Sequence, residues 1–146
     1  MRTRVDDLGI AEMAARSGFS EPTLRYYEKI GLLGPVPRDV DSGHRRYDEA
    51  TAARIEALAC LRSAGVGVAD LRRYLDLLAR GDAESAAAQR DLFSAQAARV
   101  EAEIARLRVR AEYLHRKTDL WDARVRGDAD AERRAVAAVT EVLTRF

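Results

Sequence analysis

Apolar residues recur along this chain in two rhythms, short and interrupted over the first half, long and unbroken over the second. Ile10, Met13 and Ala14 stand at helical spacing over residues 10–16, and Ser17-Gly18 closes that segment. Ser20 is placed to cap a second helix whose first turn accepts Pro22 and which runs through Arg25-Tyr26-Tyr27 to Ile30 before Gly31 ends it. Two short helices joined by a glycine-containing turn predict a helix-turn-helix. From Gly34 to Tyr47, Pro35, Pro37 and Asp41-Ser42-Gly43 break helix and favour a tight turn between two short extended arms, the pattern of a wing. Asp48 can cap a third helix over residues 49–64. Gly65-Val66-Gly67 interrupts it, and a fourth helix over 68–79 carries an apolar stripe of Leu71, Tyr74, Leu75 and Leu78.

Arg80-Gly81-Asp82 is the clearest boundary, because no Gly or Pro follows until Gly127. Within that long helix Phe93, Ala97, Val100, Ile104, Leu107, Ala111, Leu114, Thr118 and Trp121 alternate at spacings of four and three, a heptad seam with Arg and Glu largely on the other faces. Such a seam needs a partner helix. A second copy of the chain supplies one through Phe93, Val100, Ile104, Leu107, Leu114 and Trp121, giving a homodimer. The alternative is that residues 130–146 fold back over the seam with their own stripe of Val136, Val139, Leu143 and Phe146, which is too short to cover all of it. The expected organisation is therefore mainly all-α: a winged helix-turn-helix head at 8–79, a long coiled-coil dimerisation helix at 82–122 and a short C-terminal helix at 128–146.

Composition narrows the picture without deciding it. A chain of 146 residues holds one ordinary domain, or a small domain plus an extended element, and 47% hydrophobic with 34% charged residues marks a soluble, helix-rich protein. No apolar run approaches the ~20 residues that span a bilayer, Met1-Arg2-Thr3-Arg4 leads into acidic residues instead of a signal-peptide core, and one Cys supports no internal disulfide. A cytoplasmic chain without membrane contact is expected. The formal net charge is only +1, so affinity for nucleic acid has to come from the placement of arginines and not from their total.

That placement is specific. The second helix carries Thr23, Arg25, Tyr26, Tyr27 and Lys29, and the wing carries Arg45, Arg46 and Tyr47. A recognition helix enters the major groove by its N-terminal part, where Thr23 and Arg25 reach base edges or phosphates while Tyr26, Tyr27 and Lys29 donate to the backbone. Arg45, Arg46 and Tyr47 would touch flanking phosphates. Of two adjacent helical tyrosines one ordinarily faces inward, so one of Tyr26 and Tyr27 is expected to be structural. No set of nucleophile, base and acid recurs at a meaningful spacing, which argues against an enzyme. A coiled-coil module whose head docks protein instead of DNA is the competing class.

The order of Ile10-Ala11-Glu12-Met13-Ala14, Thr23-Leu24-Arg25-Tyr26-Tyr27-Glu28, Gly31-Leu32-Leu33, Arg45-Arg46-Tyr47 and Leu58 through Leu71 resembles the MerR family of transcriptional regulators, densely over residues 8–79. The resemblance implies a dimer with an antiparallel coiled coil that binds double-stranded promoter DNA, bends and untwists it, and so acts on RNA polymerase through the DNA. It also implies a phosphate contact for Arg62.

The resemblance further directs attention to the effector. Metal-sensing members carry Cys pairs late in the coiled coil, whereas this chain has none after Cys60, and His115 with Asp119 at i+4 is a poor site for a thiophilic metal. No metal or cofactor is expected. The position of Cys60 in the third helix is similar to that of the single Cys of the AdhR/NmlR subgroup, which responds to aldehydes or other electrophiles. Sensing needs a reachable thiolate stabilised by positive charge, yet the helical neighbours of Cys60 are Ala53, Glu56, Ala57 and Ala64, so the cation has to come from Arg72, Arg73 or a partner chain. Two other readings stand beside this one. Cys60 can be a small buried hydrophobe, or a small apolar effector can bind between head and coiled coil.

Overall fold

The computed structural model describes residues 7–146, and the Met1–Arg4 stretch considered above lies outside them. Among the described residues six helices follow one another: α1 Ile10–Ser17, α2 Glu21–Lys29, α3 Glu49–Ser63, α4 Val68–Arg80, α5 Ala83–Arg126 and α6 Ala129–Leu143. No helix among them is long and apolar enough to cross a membrane. The chain divides into two compact units, residues 1–92 and 93–146, so that the division falls inside α5. It falls later than the Arg80-Gly81-Asp82 boundary because the first turns of α5 pack with the head. Ser85 and Leu92 are buried, and the Gln89 amide donates to the Tyr74 carbonyl at 2.9 Å.

Local chemistry sets the helix ends of the first unit. Gly18 takes the left-handed conformation that L side chains resist (φ 81°), and its amide closes α1 on the Ala14 carbonyl at 2.9 Å. Ser20 then caps α2 by accepting from the Thr23 amide at 3.2 Å, with Pro22 in the first turn, where no amide donor is required. Asp48 caps α3 through the Thr51 amide at 2.8 Å. The core beneath these elements is Met13, Leu24, Tyr27, Leu32, Leu33, Val36, Tyr47, Ala52, Ile55, Leu58, Val66 and Leu71. Arg16 ties α1 to α3 from outside, pairing with Glu49 and Glu56, each at 2.7 Å. Those bonds push the Arg16 guanidinium above its ordinary range and hold the Glu49 carboxyl below its own.

The segment between α2 and α3 forms the expected hairpin. Arg38 and Arg45 form an antiparallel bridge, the Asp39 amide donates to the His44 carbonyl at 2.7 Å, and the Arg46 amide donates to the Pro37 carbonyl at 2.8 Å. Asp39 shapes the tip, accepting from the amides of Asp41 and Ser42 at 3.0 and 2.9 Å, which lowers its carboxyl pKa. A second bridge, between Leu8 and Tyr47 with both bonds at 2.8 Å, anchors the base of the hairpin in the core.

In the second unit α5 and α6 lie antiparallel. Gly127, at φ 66°, ends α5 in a Schellman motif, with the Asp128 amide donating to Ala123 and the Gly127 amide to Arg124. Asp128 then caps α6 through the Ala131 amide at 3.0 Å. Leu120 and Ala123 of α5 are buried with Ala135, Val139 and Val142 of α6, Tyr113 meets the Phe146 ring edge-on at 5.4 Å, and Glu112 pairs with Arg145 at 2.8 Å. This corrects the fold-back reading of the sequence. The turn at Gly127 delivers α6 to the face of α5 carrying Tyr113, Leu120 and Ala123, so the seam residues Phe93, Val100, Ile104, Leu107, Leu114 and Trp121 all remain exposed. The stripe of α6 is rotated as well, with Val136 and Leu143 outward and Ala135 and Val142 inward.

Candidate nucleic-acid interface

The outer face of α2 and the adjoining hairpin present one basic surface. Two open grooves flank it. The first, of about 400 Å³, is lined by Arg25, Glu28, Lys29 and Arg45 beside the Gly31–Pro35 turn. The second, of about 310 Å³, is lined by Arg25, Arg38, His44, Arg45 and Arg46 beside the start of α1. Arg25 and Arg45 belong to both and form the ridge between them. Four of the residues singled out in the sequence, Arg25, Lys29, Arg45 and Arg46, are thus brought to one surface, and Arg38 and His44 join them there. The bridge opposite Arg45 places Arg38, which the sequence reading missed. Pairing across a hairpin whose tip is Asp41-Ser42-Gly43 is the signal that points to it.

Several of these cations have carboxylate partners. Arg25 lies 3.6 Å from Glu21 one helical turn away, Arg46 lies 3.8 Å from Asp39, and Arg45 Nε donates to Glu28 Oε2 at 2.5 Å. The last pair is the most enclosed, with side chains 19% and 16% exposed. Such pairing restrains the guanidinium and leaves its remaining donors for a further anion.

The tyrosines separate by position. Tyr26 is 54% exposed on the outer face of α2. Tyr27, at 5%, packs edge-on to Phe19 with ring centroids 5.2 Å apart and is the structural member of the pair. The expected phosphate contact of Tyr47 is corrected, because its side chain is fully buried and its hydroxyl has no hydrogen-bond partner among the described residues. Burial also pushes the Tyr47 phenol pKa up. Tyr47 turns inward where its backbone pairs with Leu8 at the base of the hairpin, while Arg45, two residues earlier, lines the outer grooves. Thr23 is half-buried in the first turn of α2, its hydroxyl bonded to that of Ser20 at 2.8 Å. Arg62 lies at the far end of α3 and donates to the Val66 carbonyl at 3.4 Å, outside the residues lining either groove.

Cys60 is exposed on α3, which corrects the reading of it as a buried hydrophobe. Arg72, one of the cations considered for it, donates to the Ile30 carbonyl at 2.8 Å. Arg16 reaches α3 at Glu56, one helical turn before Cys60.

A helix-turn-helix with a basic hairpin wing defines a DNA-reading head of the kind found in transcription regulators. The model of the MerR helix-turn-helix regulatory proteins matches residues 8–78, and the chain belongs to that family. The HTH-type transcriptional regulator AdhR of Bacillus subtilis is 44% identical over 75 residues, which cover 51% of this chain and 53% of AdhR, so the match spans about half the length of that relative. A helix-turn-helix regulator of Haemophilus influenzae is 33% identical over 73% of this chain and 78% of its own. Among solved structures, HiNmlR, a MerR family regulator lacking the sensor domain and bound to promoter DNA, superposes with a TM-score of 0.67 at 29% identity, over 86% of this chain and 95% of that one. These relatives are regulators, not enzymes.

Proposed function

We propose that this chain is a homodimeric transcriptional regulator that binds promoter DNA, with α2 in the major groove and the hairpin on the flanking backbone, and that it acts by bending and untwisting the promoter. The observation that carries the reading is the convergence of Arg25, Arg38, Arg45 and Arg46 around two adjoining grooves on a chain of net charge +1. A protein this close to neutrality binds DNA by concentrating cations on one face. The uncovered seam of α5 supports the dimer. Two linked heads raise each other's effective concentration on a two-fold site, and deforming the DNA costs several kcal/mol, about what a rigid double contact can offset.

Footprinting the full chain on DNA upstream of its own gene tests the reading. A protected two-fold site, bending of the bound fragment, and a salt slope that falls by about one in Arg25→Ala are expected. Equal affinity for unrelated duplexes would overturn it. The same reading gives Cys60 the role of trigger, supported by its exposure on α3 and by the likeness to AdhR. Alkylation by an aldehyde or quinone then changes the transcription driven from the promoter, and Cys60→Ser abolishes the response. A response that persists in Cys60→Ser removes the thiol from the mechanism.

A further inference from the structure

Glu28 is an unexpected residue to find on a DNA-binding surface. It lines the first basic groove beside Arg25, Lys29 and Arg45, where a carboxylate repels the phosphates that the cations attract. Yet it is largely enclosed, and its Oε2 receives Arg45 Nε at 2.5 Å across seventeen residues of sequence. It stands on α2, the helix that faces the major groove, and Arg45 stands on the hairpin. Within the hairpin, the arms are tied to each other by the Asp39–His44 and Arg46–Pro37 backbone bonds of the Arg38–Arg45 bridge, the Gly43–Asp39 bond at the tip and the Arg46–Asp39 ion pair, while the Leu8–Tyr47 bridge anchors its base. Among the described residues, the Glu28–Arg45 pair is the ion pair that links recognition helix and wing. Glu28 also offsets the mutual repulsion of Arg25, Lys29 and Arg45, which line the first groove with it.

We infer that Glu28 is a positioning residue for DNA recognition: it fixes the Arg45 guanidinium, and through it the wing, in register with α2, at the expense of some non-specific attraction for DNA. One carboxylate thus trades general affinity for selectivity. The guanidinium offers five donors in a fixed fork, so engagement of Nε by Glu28 leaves the terminal nitrogens for phosphate and sets the plane in which they lie. Loss of the carboxylate leaves Arg45 charged but unaligned, and the wing free to sample positions that do not match the groove. The inference rests on the promoter-binding reading above.

Two measurements on the full-length chain separate this role from simple charge. In the DNA-free protein, Glu28→Ala and Glu28→Gln should speed hydrogen exchange at the Asp39 and Arg46 amides of the hairpin about tenfold, leaving the α3 amides unchanged. On DNA, Glu28→Ala should bind an unrelated duplex about twofold more tightly, because a negative charge is gone, and the footprinted promoter duplex about tenfold more weakly. In an Arg45→Gln background the same change should bring no further loss on the promoter. If both duplexes bind Glu28→Ala more tightly in equal measure, or if hairpin exchange is unaltered, Glu28 is only a repulsive charge and the inference falls. A parent protein with no promoter preference would instead overturn the proposed function, and the exchange measurement would still decide whether the link holds the wing.

Discussion

The head and the C-terminal unit use apolar residues in opposite ways. In the head, Leu24, Ile55, Leu58 and Leu71 are fully buried and the cations face outward around two grooves. In residues 93–146, Leu120, Ala123, Val139 and Val142 form a narrow buried contact, while Val100, Ile104, Leu107, Leu114 and Trp121 stay exposed along one face of α5. The head closes its core within one chain. The second unit spends only one face of its helix on itself, and an apolar face left open over about 30 Å of helix, at 1.5 Å per residue, suits an interaction surface.

Truncation in the two regions should therefore be read by different instruments. Leu58→Ala removes a fully buried side chain from the head and should lower unfolding stability by about 3 kcal/mol in a denaturant titration. A change below about 1 kcal/mol would mean that the head is loosely packed. If the proposed dimer forms through this face, Ile104→Asp should leave the unfolding of the head unchanged and raise the dimer dissociation constant at least about a hundredfold by placing carboxylates in an apolar seam. Sedimentation would then follow the chain mass of 16.2 kDa instead of twice that value. A variant that sediments like the parent would break the contrast. Asp128→Ala strips the cap of α6 and should cost about 1 kcal/mol, visible as faster exchange in α6 and not in α3.

The smallest effect is electrostatic and has an example in each unit. The Glu49 carboxyl is lowered by its hydrogen bonds to Arg16, and the Glu112 carboxyl by its bond to Arg145. For a group with a depressed folded pKa, the stabilisation is fully present above the unfolded carboxylate value near ~4.3 and is lost as pH falls through the lower folded value. Stability should thus decline below about pH 4 in both units. Arg16→Gln should return Glu49 to the ordinary carboxylate range in an NMR titration and leave Glu112 where it is. Glu49 titrating normally in the parent chain would show that the α1–α3 tie does not form in solution.

Helix punctuation was the most legible layer of this structure. Gly18, Ser20, Asp48, Gly81 and Gly127 each act through their own backbone or a neighbour three residues away, which is why α1 to α4 fall within a residue or so of their expected ends. The basic surface was partly legible, because Arg25, Arg45 and Arg46 sit in compact motifs. Tyr47 was misread as part of a surface triplet because its burial depends on the long-range bridge to Leu8, which local spacing does not mark. The Glu28–Arg45 link and the Arg16 tie to Glu49 and Glu56 join residues 17 to 40 positions apart, and nothing in local spacing marks them. The face chosen by α6 was hidden for another reason. The Leu120–Ala123 stripe is interleaved with arginines and weaker than the seam, and the Gly127 turn decides which of the two is met.

The chain contains a single cysteine, and its thiol is open to solvent on α3. Whatever its reactivity in the cell, that makes Cys60 a native attachment point for exactly one reporter group per chain, with no background site to remove. In a two-fold assembly, spin labels at the paired thiols would give one inter-head distance, read with and without DNA. Because the label occupies the thiol proposed as the trigger, that distance would be a ruler for the tilt of the heads in the thiol-modified state.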